Sequence, residues 1–195
     1  QRTGAFGIFG GTAAAAKLLG LSQTQMVHAV GIAYSQAAGN RQCIVDGALT
    51  KRFQAGQAAH GAVLATFLAK EGFTGAENVF AGTYGFFPMY QPDGYDLSLI
   101  DAGLGQEYLG DRISLKPYPC GRPTHSYIDA AVKLHHKLDL STNTLESVTV
   151  RTDPETYTSR YSVSSGVVRP QQQVEAQFSL PYLIGCALVL GGVGI

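Results

Sequence analysis

Charged side chains are scarce in this sequence. Asp, Glu, Lys and Arg make up 14% of the 195 residues, whereas 45% are hydrophobic. An average soluble domain has roughly 25% charged residues. The composition excludes an intrinsically disordered chain, because burial of so much apolar surface offsets the entropy lost on ordering. The shortage of charge predicts a large buried fraction, or faces that further parts of a longer chain cover.

Net charge is lacking as well. The chain has 14 basic and 14 acidic residues, and no stripe of Lys and Arg stands out along it. A nucleic-acid-binding protein normally carries a basic patch that neutralises phosphates. The sequence therefore predicts no nucleic-acid partner.

Cysteine is rare, and several motifs of known chemistry are missing. Cys43, Cys120 and Cys186 lie far apart without a CxxC pair, which favours reduced thiols in a cytosolic or matrix compartment over a disulfide scaffold or a zinc site. Because HxxxH, HExxH and clustered carboxylates are absent, the sequence predicts no metal. The absence of GxSxG excludes the nucleophile elbow of a serine hydrolase.

The first 110 residues predict a bundle of helices. Helical periodicity covers residues 12–20, 22–38 and 56–70, with Ser22 as an N-cap and glycines after the first and third helices. Near the start, the glycine spacing is GxxGxxGG and no strand precedes it. A dinucleotide-binding loop needs GxGxxG after a strand, so these glycines indicate close packing between helices.

The second part of the chain has a different pattern. A short extended piece and the turn-rich PYPCGRP lead to Thr124, a predicted N-cap, and to a helix over residues 126–138. Residues 147–152, SVTVRT, alternate and are β-branched, which predicts a half-buried strand. Residues 172–190 predict a further helix. This order predicts an α+β second domain.

The chain ends on an apolar run. Residues 178–195 contain no charged side chain, and this run is long enough for a membrane span. Pro181 and four glycines interrupt the run, and no basic or aromatic anchor follows it. We therefore expect a buried core helix. Because the run continues to the last residue and the first residue is Gln1, we also expect the sequence to be the interior of a longer chain.

Two cationic segments are candidates for a binding site. Lys51 and Arg52 lie at the start of the third predicted helix, where a carboxylate could be held by charge and by free backbone N–H groups; a surface basic pair is the alternative. Lys116, Arg122 and His125 lie in or beside a stiff segment with three prolines and one glycine. Such stiffness fixes side chains as a site needs, although an ordinary connection with a helix cap has the same pattern.

The remaining candidates are weaker. Tyr157 follows the predicted strand and could donate a proton, although most such tyrosines only pack. His28 and His60 are expected to be packed or partly exposed helix residues, and His135 and His136 to be solvated or half-buried at a helix end. The residues alone predict a cationic pocket, between a helical and an α+β domain, for an anionic small molecule.

Five blocks of the sequence carry a resemblance to a known family. They are GAFGIFGGTAAAAKLLGLS, HAVGIAYSQAAGN, KRFQAGQAAHGAVLATFLAKEGFTGAENVFAG, LKPYPCGRPTHSYIDAA and EAQFSLPYLIGCAL. In this order the chain resembles the MmgE/PrpD family, which includes 2-methylcitrate dehydratase, cis-aconitate decarboxylase and iminodisuccinate epimerase.

The resemblance implies a fold that is mainly α, with an α+β second domain. Residues 1–112 would be part of a large all-helical domain and residues 113–195 part of a smaller α/β lid, both incomplete. It also implies a cytoplasmic homodimer (in the mitochondrial matrix if eukaryotic) that does not bind a membrane. Neither a metal nor an organic cofactor would be needed.

Family motifs also imply site residues. The catalytic positions would be Lys51, Lys116, His125 and Tyr157. The substrate-binding positions would be Gln1, Thr3, Arg52 and Arg122. Gln1 stands where decarboxylase-like members have a histidine, and glutamine does not shuttle protons near neutral pH.

The implied activity is that of a lyase of the dehydratase type, which eliminates water from a small di- or tricarboxylic acid through a carbanion-like state. Cationic groups beside the carboxylates stabilise such a state. An isomerase that moves a proton beside a carboxylate and a decarboxylase are the alternatives. A helical fragment without activity of its own is the non-enzyme alternative.

Overall fold

The structure is a computed structural model that describes residues 2–138, 145–158 and 168–194. The chain divides into two compact units, residues 1–109 and 110–195. The described part of the first unit is built from the helices α1 (Arg2–Leu18), α2 (Gln23–Tyr34), α3 (Gln42–Val45), α4 (Thr50–Lys70) and α5 (Phe86–Tyr90), followed by a 3-10 turn at Leu97–Leu99.

The predicted N-cap of α2 and the predicted glycine ends of two helices are confirmed. Ser22 caps α2 through a capping box, in which its hydroxyl accepts from the Gln25 backbone and the Gln25 side chain accepts from the Ser22 backbone. Gly20 has φ +67° after α1, and Gly72 has φ +90° after α4. These left-handed conformations suit glycine at the end of a helix.

Helices α1 and α4 begin earlier than the periodicity predicts. The first twelve residues contain four glycines, which are weak helix formers, yet α1 starts at Arg2. Its glycine side lies against α4: a Cβ on Gly11 would be 2.9 Å from the Ala62 Cβ. Tertiary packing therefore overrides the local propensity. The predicted use of the glycines in close helix packing is confirmed for Gly4, Gly7 and Gly11 but not for Gly10, where a Cβ would have no neighbour within 4 Å.

The pairing of α1 with α4 is parallel. Gly4 lies beside Gln54, Gly7 beside Ala58 and Gly11 beside Ala62, so both helices advance in the same direction. Their N-termini therefore lie at the same end of the pair. The core between α1, α2 and α4 is rich in alanine and consists of Ile8, Ala29, Ile32, Ala33, Ala58, Ala62, Ala65 and Ala69.

The second unit is built around one helix pair. Its described elements are 3-10 turns at Leu109–Arg112 and Arg122–Thr124 and the helices α6 (His125–Lys137), α7 (Pro154–Thr158), α8 (Gln173–Ala176) and α9 (Leu180–Leu190). Helix α6 packs on α9. The core comprises Cys120, Ile128, Ala131, Leu180, Leu183, Ile184, Ala187 and Leu188.

The apolar run at the end of the chain forms the core helix that we expected. Leu183 and Ala187 of α9 are buried, and the Leu188 carbonyl oxygen lies within hydrogen-bond distance of His135 Nδ1, at 2.8 Å. Gly191, with φ +72°, ends the helix. None of the helices that the structure describes is long and apolar enough to cross a membrane.

The prediction of an α/β lid is wrong. Residues 147–152 form neither a helix nor a strand, and residues 2–138, 145–158 and 168–194 contain no strand. A strand exists only when a partner accepts and donates its backbone hydrogen bonds, and none of the described residues pairs with this segment. Instead, Val148 and Val150 line a cavity together with Ile184 and Leu188 of α9, and Thr152 is hydrogen-bonded to Tyr127. The described second unit is helical.

Candidate functional site

Two predicted site residues of the first unit lie at one end of the α1–α4 pair. Gly4 is beside Gln54, Thr3 precedes Gly4, and Lys51 lies one turn before Gln54. The parallel packing thus brings Thr3 and Lys51 to the same end, although they are far apart in the sequence. Thr3 is exposed and Lys51 half-buried.

A pocket opens at this end of the helix pair. It has a volume of about 950 Å³ and is lined by Ala5, Phe6, Ala37, Ala38, Gly39, Phe86, Tyr90 and Gln91. Its aromatic wall is part of a larger cluster, in which the rings of Phe6 and Phe86 meet edge to face with centroids 5.1 Å apart. The lining side chains are mostly apolar, apart from Tyr90 and Gln91.

The expected free N–H groups at the start of α4 are not available at Lys51 and Arg52. The Lys51 backbone N–H donates to the Ala48 carbonyl at 3.4 Å, and that of Arg52 to the Leu49 carbonyl at 3.0 Å. The preceding turn therefore uses these donors. Any carboxylate at this place would be bound by the side chains, of which Arg52 is exposed.

Gln54 is a residue that sequence reasoning did not select. Its amide accepts from the Asn40 backbone N–H at 2.9 Å and donates to the Asn40 carbonyl at 3.1 Å. It thereby ties the loop after α2 to the first turn of α4, one turn from Lys51. The signal available in the sequence was a long polar residue in the KRFQAG motif.

In the second unit, the segment before α6 is held by a set of short contacts. Lys116 Nζ donates to the Cys120 carbonyl at 3.0 Å, and the Thr124 hydroxyl donates to the Gly121 carbonyl at 2.7 Å. The Gly121 N–H donates to the Gln177 carbonyl at 2.9 Å. Thr124 precedes α6 but does not cap it with its side chain, because its hydroxyl is used within the turn.

Arg122 and His125 line one open pocket of about 510 Å³, together with Leu115, Pro117, Pro123 and Ser126. Arg122 donates a short hydrogen bond to the Ser114 hydroxyl. His125 begins α6, and its Nε2 is buried without a hydrogen-bond partner. An unpaired buried polar atom is costly, and in native proteins it often reflects a catalytic role or a bound water or ion. Lys116 does not line this pocket.

Tyr118 contacts His125. The two rings meet edge to face, with centroids 5.5 Å apart and planes at 88°. The Tyr118 hydroxyl donates to Asp129 Oδ1 at 2.7 Å. This bond to the carboxylate raises the pKa of Tyr118 above its usual value, since loss of the hydroxyl proton would place two negative charges together.

Tyr157 does not line the pocket of His125. Tyr157, in α7, lines a separate cavity of about 300 Å³ with Val148, Val150 and residues of α9. Gln1 lies outside the described residues. The catalytic and binding roles of both therefore stay predictions.

The thiols differ in their surroundings. Cys120 is buried, and burial raises the pKa of its thiol, while a hydrogen bond with Thr124 and the charge of Lys116 act in the opposite direction. Cys186 is only half-buried. Within the described residues, no group of three or more His, Cys, Asp or Glu side chains is arranged to hold a metal ion.

We expect iodoacetamide to alkylate Cys186 severalfold faster than Cys120 near neutral pH. The thiolate is the reactive form of cysteine. At Cys120 the raised pKa lowers the fraction of thiolate, and burial limits the access of the reagent to the sulfur. Mass spectrometry of peptides from a time course measures the two rates. Equal rates would contradict the described packing around Cys120, and a denatured sample, in which the difference should vanish, is the control.

Comparisons with known proteins agree with the residue blocks. Residues 1–97 match the family model of the MmgE/PrpD N-terminal domain. Residues 118–195 match that of the MmgE/PrpD C-terminal domain. The two matches lie on either side of the segment that links the two units.

The curated relatives have related names. The cis-aconitate decarboxylase-like protein oryM of Aspergillus oryzae is 35% identical over 65% of this chain and 28% of its own length. The cis-aconitate decarboxylase of Aspergillus terreus is 28% identical over 94% of this chain and 39% of its own. That of Mus musculus is 31% identical over 95% and 37%. The chain thus spans roughly a third of the length of these relatives.

Proposed function

The chain belongs to the MmgE/PrpD family, and from this premise we propose that it is part of a lyase that acts on a small di- or tricarboxylic acid. The proposal is supported by the parallel α1–α4 pair, whose N-terminal turns contain Thr3 and Lys51 and lie at the same end. The names of the relatives support the same class of substrate.

Lys51 is proposed to bind a substrate carboxylate. Its ammonium group is attached to the first turn of a 21-residue helix, where the helix dipole also favours negative charge. The backbone N–H groups of Lys51 and Arg52 are engaged by the preceding turn, so the Lys51 side chain carries this role. A cation at the carboxylate stabilises negative charge that develops on the neighbouring carbon.

The reaction that we propose first is elimination of water. A base removes a proton from the carbon beside a carboxylate, the electron pair forms the double bond, and hydroxide leaves with a proton from an acid. His125 is proposed as the acid–base group, because imidazole can both take up and give a proton near neutral pH. Lys116 and Arg122 are proposed to bind carboxylates, and Tyr157 to serve as a proton donor.

Decarboxylation is the second candidate, since the names of the relatives favour it. Here the bond between carbon and the carboxylate breaks, carbon dioxide leaves, and the carbanion takes up a proton. Both reactions pass through a state with negative charge next to a carboxylate. The same cations would therefore serve either one.

Product analysis separates the candidates. The full-length protein is incubated with 2-methylcitrate and with cis-aconitate, and products are followed by NMR in deuterated water. An alkene without carbon dioxide indicates dehydration, and carbon dioxide with one deuterium in the product indicates decarboxylation. Deuterium uptake into unchanged acid indicates an isomerase. No turnover of any di- or tricarboxylic acid would refute the proposal.

Lys51→Ala should raise KM for the carboxylic acid about tenfold or more in the full-length protein, since a charge-assisted contact contributes roughly 1.5–3 kcal/mol. Lys17→Ala is the matched control. Lys17 is exposed in the last turn of α1, at the opposite end of the helix pair, and its loss should leave KM unchanged. Equal effects of the two substitutions would contradict a binding role for Lys51.

A further inference from the structure

Tyr118 bridges two positions on one side of α6. Its ring contacts His125 in the first turn, and its hydroxyl donates to Asp129, four residues later. Residues four apart lie on the same face of a helix. Tyr118 therefore lies along this face and touches the helix at two points.

The other end of Tyr118 is fixed by its own backbone. The Tyr118 carbonyl accepts from the Cys120 N–H at 2.9 Å. In the same turn, Lys116 Nζ donates to the Cys120 carbonyl. The next residue, Gly121, donates to Gln177. The ring is thus held between a braced turn and a carboxylate on α6, which limits its freedom to move away from the imidazole.

The His125 ring lacks a hydrogen bond that would hold its orientation at Nε2. Its ring has no hydrogen bond at the buried Nε2, so no donor or acceptor at that atom fixes the imidazole plane. A hydrogen bond at one ring nitrogen normally fixes the tautomer of a histidine, and without one at Nε2 the orientation of the ring depends on the groups that pack against it. The edge-to-face contact with Tyr118 restricts the orientation of the His125 ring.

We propose that Tyr118, held by Asp129, is a positioning residue that keeps the His125 imidazole in one orientation. The catalytic role of His125 in this inference rests on the proposed function, whereas the contacts of Tyr118 do not. Loss of the hydroxyl contact leaves the Tyr118 ring unanchored at its far end, so the imidazole samples several orientations. Misorientation of an acid–base group lowers kcat more than it changes KM.

The test compares variants of the full-length protein. Tyr118→Phe and Asp129→Ala both remove the bridge and should lower kcat about tenfold with KM within twofold, while Asp129→Asn, which keeps an acceptor oxygen, should restore most of kcat. Tyr127→Phe is the matched control, because it also loses a hydroxyl contact from α6, to Thr152, without touching His125. A loss of kcat in Asp129→Asn as large as that in Asp129→Ala would overturn the proposal.

A second readout does not depend on activity. In nitrogen-15 NMR spectra of the full-length protein, the ring nitrogens of His125 should give one set of shifts in the parent and in Tyr127→Phe, and shifted or broadened signals in Tyr118→Phe. Unchanged His125 signals in Tyr118→Phe would overturn the positioning role. If those signals change while His125→Gln keeps full activity, the positioning stands and the assigned function of His125 fails.

A double substitution tests whether Tyr118 acts through His125. A positioning residue acts through its partner, so Tyr118→Phe should lower kcat no further in the His125→Gln background. A tenfold further loss there would show that Tyr118 acts independently of His125, and would overturn the proposal.

Discussion

Replacing His125 with glutamine should lower kcat of the full-length protein by about 10²–10⁴-fold, which is the usual contribution of a positioned acid–base group. Glutamine has a similar reach and can still form hydrogen bonds, but it does not exchange protons near neutral pH. The loss should therefore appear mainly in kcat. Steady-state kinetics with the acid that the parent turns over measures it.

His136→Gln serves as the control for that experiment. His136 is exposed in the last turn of the same helix, away from the pocket that His125 lines. It should keep full activity. If His125→Gln retained more than about a tenth of kcat, well above the range for a general acid–base group, the proton transfer would have to be assigned to a different residue.

Gly31→Ala should destabilise the protein by about 3 kcal/mol or more, because overpacking against backbone atoms forces the main chain to move. A Cβ at this position of α2 would overlap the backbone nitrogen and carbonyl oxygen of Ala76, and one on Gly75 would overlap the His28 carbonyl. Two glycines thus let the loop after α4 lie directly on α2. Urea unfolding measures the change, and loss of soluble protein is its extreme form.

Gly56→Ala is the matched substitution with the opposite expected sign. Gly56 lies inside α4, and a Cβ there would have no atom within 4 Å. Alanine loses less backbone entropy than glycine in a helix, so this variant should be more stable by about 0.5–1 kcal/mol. A Gly31→Ala variant as stable as Gly56→Ala would contradict the described packing of α2.

Local signals in the sequence predicted the helix ends well. Ser22 caps α2 and Gly20 follows α1 in the left-handed conformation, as expected. Both features depend on a few neighbouring residues, so they can be deduced without knowledge of the rest of the fold. The start of α1 at Arg2 could not be deduced in this way, because contacts with α4 compensate for its glycines.

The candidate site was predictable only in part. The motif blocks selected Lys51 and His125, because residue type and spacing carry that information. Residues that contact the site only because the chain folds back on itself are not marked by a sequence motif. The clamp of Gln54 on Asn40 and the Tyr118 contact with His125 depend on the path of the turns.

Family membership, the N-cap of α2, the glycines that end α1 and α4 and the apolar character of α9 thus follow from residue order alone, since each depends on chemistry within a few positions or on collinear motifs. Tertiary structure decided the parallel pairing that brings Thr3 and Lys51 to the same end of two helices, and the state of residues 147–152. The alternation in SVTVRT shows only that one face is apolar. Whether such a segment becomes a strand depends on a partner for its backbone hydrogen bonds, and its valines instead line a cavity with residues of α9.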